Sequence, residues 1–122
     1  MGARHDNIVL NKSMEFAIRI VELYKFLVGN KEYVISKQLL RSGTSIGANL
    51  REANEGYSRK DFLAKVYISL KEARESEYWL ELLWRTSYID DDQYNEIQNH
   101  CGELCRILTS IAKTTSQSIN KD

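Results

Sequence analysis

Not one proline occurs in the 122 residues of this chain. Proline deletes a helix donor and its ring collides with the preceding turn, so a chain free of it can be helix nearly from end to end. Glycine is sparse as well, at six residues. Apolar residues make up 43% and charged residues 28%, the balance of an ordinary globular domain. The length suits one domain over residues 1–122, with residues 1–8 and 115–122 expected to be flexible. No window approaches the roughly 18 uncharged apolar residues of a membrane helix, and the first residues lack the pattern of a secretion signal. Two cysteines four apart make no disulfide framework. The expectation is a cytoplasmic chain without a membrane partner.

Periodicity divides the chain into four helices. The first is predicted over residues 11–28, with Met14, Ala17, Ile18, Val21, Tyr24 and Val28 on one face and a stop at Gly29-Asn30. The second starts near Glu32 and carries Ile35, Leu39, Ser42, Ile46, Asn49, Ala53 and Tyr57 at spacings of three and four. Its middle, residues 42–49, is poor in helix formers. The period nevertheless runs through it, and small side chains there would let a neighbouring helix come close. A third helix is predicted over residues 58–88, with Ser58 as N-cap, Asp61 at the reciprocal position, and Tyr57 and Phe62 as the flanking staple. The last opens on an Asp90…Gln93 capping box with Ile89 and Tyr94 beside it. Tyr94, Ile97, Cys101, Leu104, Leu108, Ile111 and Thr115 then repeat every 3.5 residues, and fraying is expected from Thr114. The fold class is all-α, an antiparallel up-down-up-down four-helix bundle.

The third helix carries more apolar surface than one core stripe requires. Phe62, Val66, Leu70, Ala73, Leu80 and Trp84 line the inward face, while Ile68, Trp79, Leu82 and Leu83 fall well round the cylinder. That second patch is either a widening of the core or, the preferred reading, the candidate oligomer interface.

Catalytic chemistry finds little to work with. A di-metal bundle site needs Glu-x-x-His elements, and none occurs. Cys101 and Cys105 could supply two zinc ligands, but no second pair exists and both fall on the apolar seam. Any nucleophile triad would have to be built around His100. Ser42-Gly43-x-x-x-Gly47 lacks the lysine of a phosphate-binding loop. No enzyme activity, metal or cofactor is expected.

Two polar groups invite a function. Glu77 projects toward the middle of the third helix's core stripe, and Ser42, Ser45, Asn49 and Glu52 lie on the second helix; together they form a candidate interior polar network. Arg41, Arg51, Arg59, Lys60 and Lys65 cluster around the second turn beside Tyr57 and Tyr67, as candidate RNA contacts. Residues 1–71 hold 12 Lys and Arg against 7 Asp and Glu, and residues 72–122 hold 5 against 10. Opposite halves of neighbouring copies could therefore attract.

The segment 38–53, Gln-Leu-Leu-Arg-Ser-Gly-Thr-Ser-Ile-Gly-Ala-Asn-Leu-Arg-Glu-Ala, resembles the signature of the four-helix-bundle proteins encoded in intervening sequences of bacterial 23S ribosomal RNA genes. Phe62 followed by Ser69-Leu70-Lys71-Glu72-Ala73-Arg74-Glu75-Ser76-Glu77 resembles that family's third helix. The likeness covers about residues 10–110, and Ser45, Ile46, Ala48, Asn49, Glu52 and Glu77 would hold its recurrent positions. Gly47 stands where many members carry proline, which should leave the second helix straighter. The resemblance implies a ring-like homopentamer loosely associated with RNA. Similar accessory factors of diversity-generating retroelements form basic pentamers that bind nucleic acid and a reverse transcriptase, whereas this chain is neutral overall. The function expected is a non-enzymatic homo-oligomeric scaffold, partnered by itself and by RNA or an RNA-handling protein. The alternative is direct nucleic-acid binding through the basic residues, and a remote alternative is an enzyme with an unrecognised site in the bundle core.

Overall fold

A computed structural model describes residues 4–56 and 58–120. Four helices account for nearly all of them: α1 (Arg4–Gly29), α2 (Ile35–Asn54), α3 (Arg59–Arg85) and α4 (Asp91–Asn120). No strand occurs among the described residues. α1 packs on α2 and α4, and α3 packs on the same two, so α1 and α3 face each other across the diagonal. The contacts count backwards along each neighbour: Gly43 lies on Ile20 and Gly47 on Ser13, Ser42 meets Ser76 and Ile46 meets Ser69, Glu77 meets Gln98 and Ala73 meets Cys101. One core runs down the middle, built from Phe16, Ile20, Leu39, Ile46, Val66, Leu80, Leu104, Leu108 and their neighbours.

Each helix end has a local cause. α1 closes through Lys31, which adopts φ 65° where the sequence suggested Gly29 would take the left-handed turn. The Glu32 amide donates back to the Leu27 carbonyl at 2.9 Å, satisfying an orphan acceptor of the last turn. At the start of α2 the cap position is Val34, which has no capping side chain. Glu32 substitutes for it. Its buried carboxylate accepts from the amides of Val34 (3.2 Å), Ile35 (2.9 Å) and Ser36 (2.6 Å). Ser58 Oγ accepts from the Asp61 amide at 3.1 Å, as its spacing predicts, while the Tyr57 half of the staple lies outside the described residues. Both halves of the Asp90–Gln93 box form, at 2.8 and 2.9 Å. α3 ends at Arg85, three residues earlier than predicted, because Ser87 turns left-handed at φ 68°. α4 continues helical to Asn120, past the point where fraying was expected.

α2 runs unbroken through its glycine segment, and the geometry gives the reason. A Cβ at Gly43 would stand 2.8 Å from Cγ1 of Ile20, so only glycine admits α1 at this separation. At Gly47 the nearest atom would be Ser13 Oγ at 3.1 Å.

The inward face predicted for α1 is corrected. Met14 is 44% and Ile18 53% exposed, and Val21 faces solvent too. The buried column is Val9, Ser13, Phe16, Ile20 and Leu27, about a third of a turn round the helix at roughly 100° per residue. Both stripes have helical period, and the one holding Phe16 fills the core. α1 also begins at Arg4, earlier than residue 11. Its seam with α4 is spanned by Lys12–Glu103 at 2.9 Å and by Arg19–Glu96.

Three substitutions check this account. Burial by itself would raise the Glu32 carboxyl, but the three amide donors outweigh it and hold the group below its ordinary value of 4.5. Its stabilisation is therefore present above that value and lost as pH falls through the lowered one. Glu32→Gln should cost about 1–2 kcal/mol near neutrality in urea denaturation and should flatten the acid loss of stability. Gly43→Ala should destabilise, since overpacking costs about 1–3 kcal/mol against about 1 kcal/mol gained in helix propensity. Gly47→Ala should stay within about 0.5 kcal/mol of wild type, because a serine hydroxyl can give way.

Candidate functional site

The interior polar residues fall into separate groups. Between α2 and α3, Ser42 Oγ lies 2.9 Å from Ser76 Oγ, and Ser76 donates to the Glu72 carbonyl at 2.9 Å. About two turns away along α3, Ser69 Oγ donates across the seam to the Ile46 carbonyl at 3.0 Å. All three serines are buried. Small hydroxyl side chains let the two backbones approach and satisfy themselves on helix carbonyls as they do so. Ser45 donates to the Arg41 carbonyl at 2.6 Å, and Asn49 donates to the Ser45 carbonyl at 2.8 Å, so both bond within α2. Glu52 pairs at the surface with Lys65, 3.1 Å away.

Glu77 is corrected from core to flank. Ser76 holds the central position that the helical wheel assigned to Glu77, because the buried arc of α3 centres on Ser69, Ala73, Ser76 and Leu80, leaving Leu70 and Trp84 only half-buried. The Glu77 side chain stays 25% exposed at the α3–α4 edge. It accepts from Arg74 Nη1 and from Gln98 Nε2, both at 3.2 Å. The Gln98 side-chain amide oxygen, Oε1, is buried without a partner among the described residues. Ser69 and Ser76 escaped the sequence reading, although their place between Val66 and Leu80 at spacings of three and four was the available signal.

The five basic candidates do not share a single open face. Arg41 donates to Glu72 at 3.0 Å and also to Glu75. Lys65 is engaged by Glu52, and Arg59 donates to Ser118 Oγ at the far end of α4. Lys60 is exposed. Arg51 borders a groove of about 230 Å³ between α1 and α2, whose walls include Met14, Ala17, Thr44 and Ala48. Exposed pairs of this kind contribute little to stability but do cancel local field.

Of the candidate interface on α3, Leu83 is corrected to the core, where it is fully buried on the arc facing the neighbouring helices. Leu82 is half-buried. Trp79 packs partly against the core, donates its indole N–H to Glu75 at 2.9 Å and meets Tyr78 edge-on with centroids 5.0 Å apart. Ile68 remains exposed, as do Tyr67 and Tyr78 on the same helix. Trp84 stacks on Tyr94 at 4.4 Å and donates to Asp91 at 2.8 Å, fastening the end of α3 to the start of α4. Burial, with Glu81 and Glu77 adding charge, pushes the Tyr94 phenol above its ordinary value.

Cys101 and Cys105 are free and buried. The Cys101 thiol donates to the Ala73 carbonyl at 3.3 Å. Its neighbour Cys105 and the loss of water push it far above the ordinary thiol range, so it stays neutral. Among the described residues no three His, Cys, Asp or Glu side chains converge as metal ligands, and no helix is long and apolar enough to cross a membrane.

Glu77→Leu and Ser76→Leu separate flank from core. The first removes a partly exposed pair and should cost no more than about 1 kcal/mol. The second forces a large side chain into the α2–α3 seam and should cost about 1–3 kcal/mol or more, read as a lower melting temperature.

Comparison with known proteins places this architecture. No curated protein matches the sequence. A crystal structure of a protein with unknown function from the S23 ribosomal protein family of Bacteroides thetaiotaomicron superposes with a TM-score of 0.88. The two are 61% identical, over 89% of this chain and 98% of that one. The family model for the 23S rRNA-intervening sequence protein matches residues 5–110, and on the extent of that match the chain belongs to the 23S rRNA-intervening sequence protein family.

Proposed function

We propose that the chain is an antiparallel up-down-up-down bundle serving as a non-enzymatic, cytoplasmic, homo-oligomeric scaffold, with a ring of five copies favoured, associated with RNA or an RNA-handling partner. The observation that carries the reading is the uncovered apolar stripe of α1, Met14, Ile18 and Val21, left in solvent after a full core has formed without it. Contiguous exposed apolar surface on a small domain marks a contact surface. A second exposed set, Tyr67, Ile68 and Tyr78, lies on α3, diagonally opposite. Two unlike patches on opposite sides suit a heterologous contact, α1 of one copy on α3 of the next, which repeats until a ring closes. The opposed charge of the two halves of the chain favours the same head-to-tail order.

The RNA association rests on the family. Direct binding through basic side chains falls chiefly to Arg51 and Lys60, which have no ion-pair partner among the described residues, since Arg41 and Lys65 are met by carboxylates.

Light scattering behind a sizing column should give a stable multiple of 14.2 kDa, with five the favoured number. Ile18→Glu with Val21→Glu, and separately Ile68→Glu with Tyr78→Glu, should each yield helical monomers. Mixing the two variants should restore only dimers, because each keeps one good face. A wild type that remains monomeric at all concentrations would end the scaffold reading. Variants that fail to associate when mixed would replace the head-to-tail order with a self-paired one.

A further inference from the structure

A groove of about 460 Å³ opens between α3 and α4, and three cations stand on its walls: Arg74 from α3, with Arg106 and Lys113 from α4. Residues 72–122 are otherwise acidic, holding only five Lys and Arg, so three of those five share this one groove. A single lining carboxylate, Glu77, opposes them, and it already serves Arg74 and the Gln98 amide. Neither Arg106 nor Lys113 has an ion-pair or hydrogen-bond partner among the described residues. Arg106 folds back over Gly102, where a Cβ would stand 3.3 Å from its Nη1. The absent side chain leaves the guanidinium room to lie along the groove. Ser110 adds a hydroxyl at the rim and buried Cys105 lines the groove below.

We propose that this groove binds a compact multivalent anion of the phosphate-ester class, of about nucleotide size. Arg106 presents a planar fork that matches two phosphate oxygens, and Lys113 adds a point charge two helical turns further on, about 10 Å along the axis. The volume falls in the range of small-ligand clefts, roughly 300–1,000 Å³. The surroundings favour a compact ligand over a long polyanion. The three cations stand close together in one groove, so a nucleotide ends within their reach while a longer strand would outrun them.

Calorimetric titration of the full chain with adenosine diphosphate and with inorganic pyrophosphate, at low salt, tests this. Saturable binding at one site per chain is expected for both, weakening as salt rises. Arg106→Ala and Lys113→Ala should each reduce affinity by about tenfold. Gly102→Ala provides the control for folding: alanine is the better helix former, so the melting temperature should rise while displacement of Arg106 weakens binding. Heats that do not saturate at millimolar probe would overturn the proposal. So would binding indifferent to Arg106→Ala and Lys113→Ala. Tight binding of a single-stranded RNA that depends on these two residues, with no response to either small probe, would overturn it as well by assigning the groove to a polymer.

Discussion

Everything in this bundle turns on how closely α2 allows its two neighbours to come. On one side Gly43 brings α1 so near that Ile20 occupies the place a methyl group would need. On the other, Ser42 and Ser76 sit oxygen to oxygen, and Ser69 reaches the backbone of α2 directly at Ile46. A segment that is poor in intrinsic helix formers is therefore held closely from both sides. Tertiary packing outweighs propensity here, because each small side chain exchanges local helix preference for dispersion contacts and satisfied hydroxyls along two seams at once.

That arrangement explains which parts of the structure could be read from sequence. The last helix was legible because its apolar seam is single and its cap is chemically explicit, and both ends of the Asp90–Gln93 box formed as expected. α1 was not, because two apolar stripes of equal period compete and periodicity says nothing about which one is buried. Its true inward face is told by size, Phe16 and Ile20 against the glycine gap of α2, which becomes visible only once the partner is known. The displacement of Glu77 by Ser76 has a related origin. A wheel centred on the large apolar residues of α3 misses that the closest seam is made by the smallest ones. The α2 cap also lay beyond a sequence reading, since a glutamate three residues ahead of the helix does the work of an N-cap side chain.

The surface carries the functional information. Glu77, expected on the core stripe of α3 in an interior polar network, belongs to an edge where α3 and α4 meet, together with Arg74 and Gln98. The basic cluster expected near the second turn is dispersed, part of it opposed by carboxylates, while the acidic half of the chain gathers its few cations into one groove. Apolar surface is likewise redistributed: Leu83 withdraws into the core and the stripe on α1 is left outside. The family assignment and the fold agree, and the site-level picture differs from the one the residues alone suggested.

α1 and α4 meet over less of their length than any other neighbouring pair of helices. Lys12–Glu103 and Arg19–Glu96 span their seam through partly exposed side chains, while the α2 seams close on glycine and buried serine. Exposed pairs hold weakly and are screened by salt, so sub-global opening should begin at this seam, with α1 still held against α2 at Gly43. Such a hinge-like excursion would leave amide protons on the α4-facing side of α1 exchanging faster than those of α2. Whatever covers the outer stripe of α1 would also hold that helix down, coupling the association of the protein to the opening of this seam.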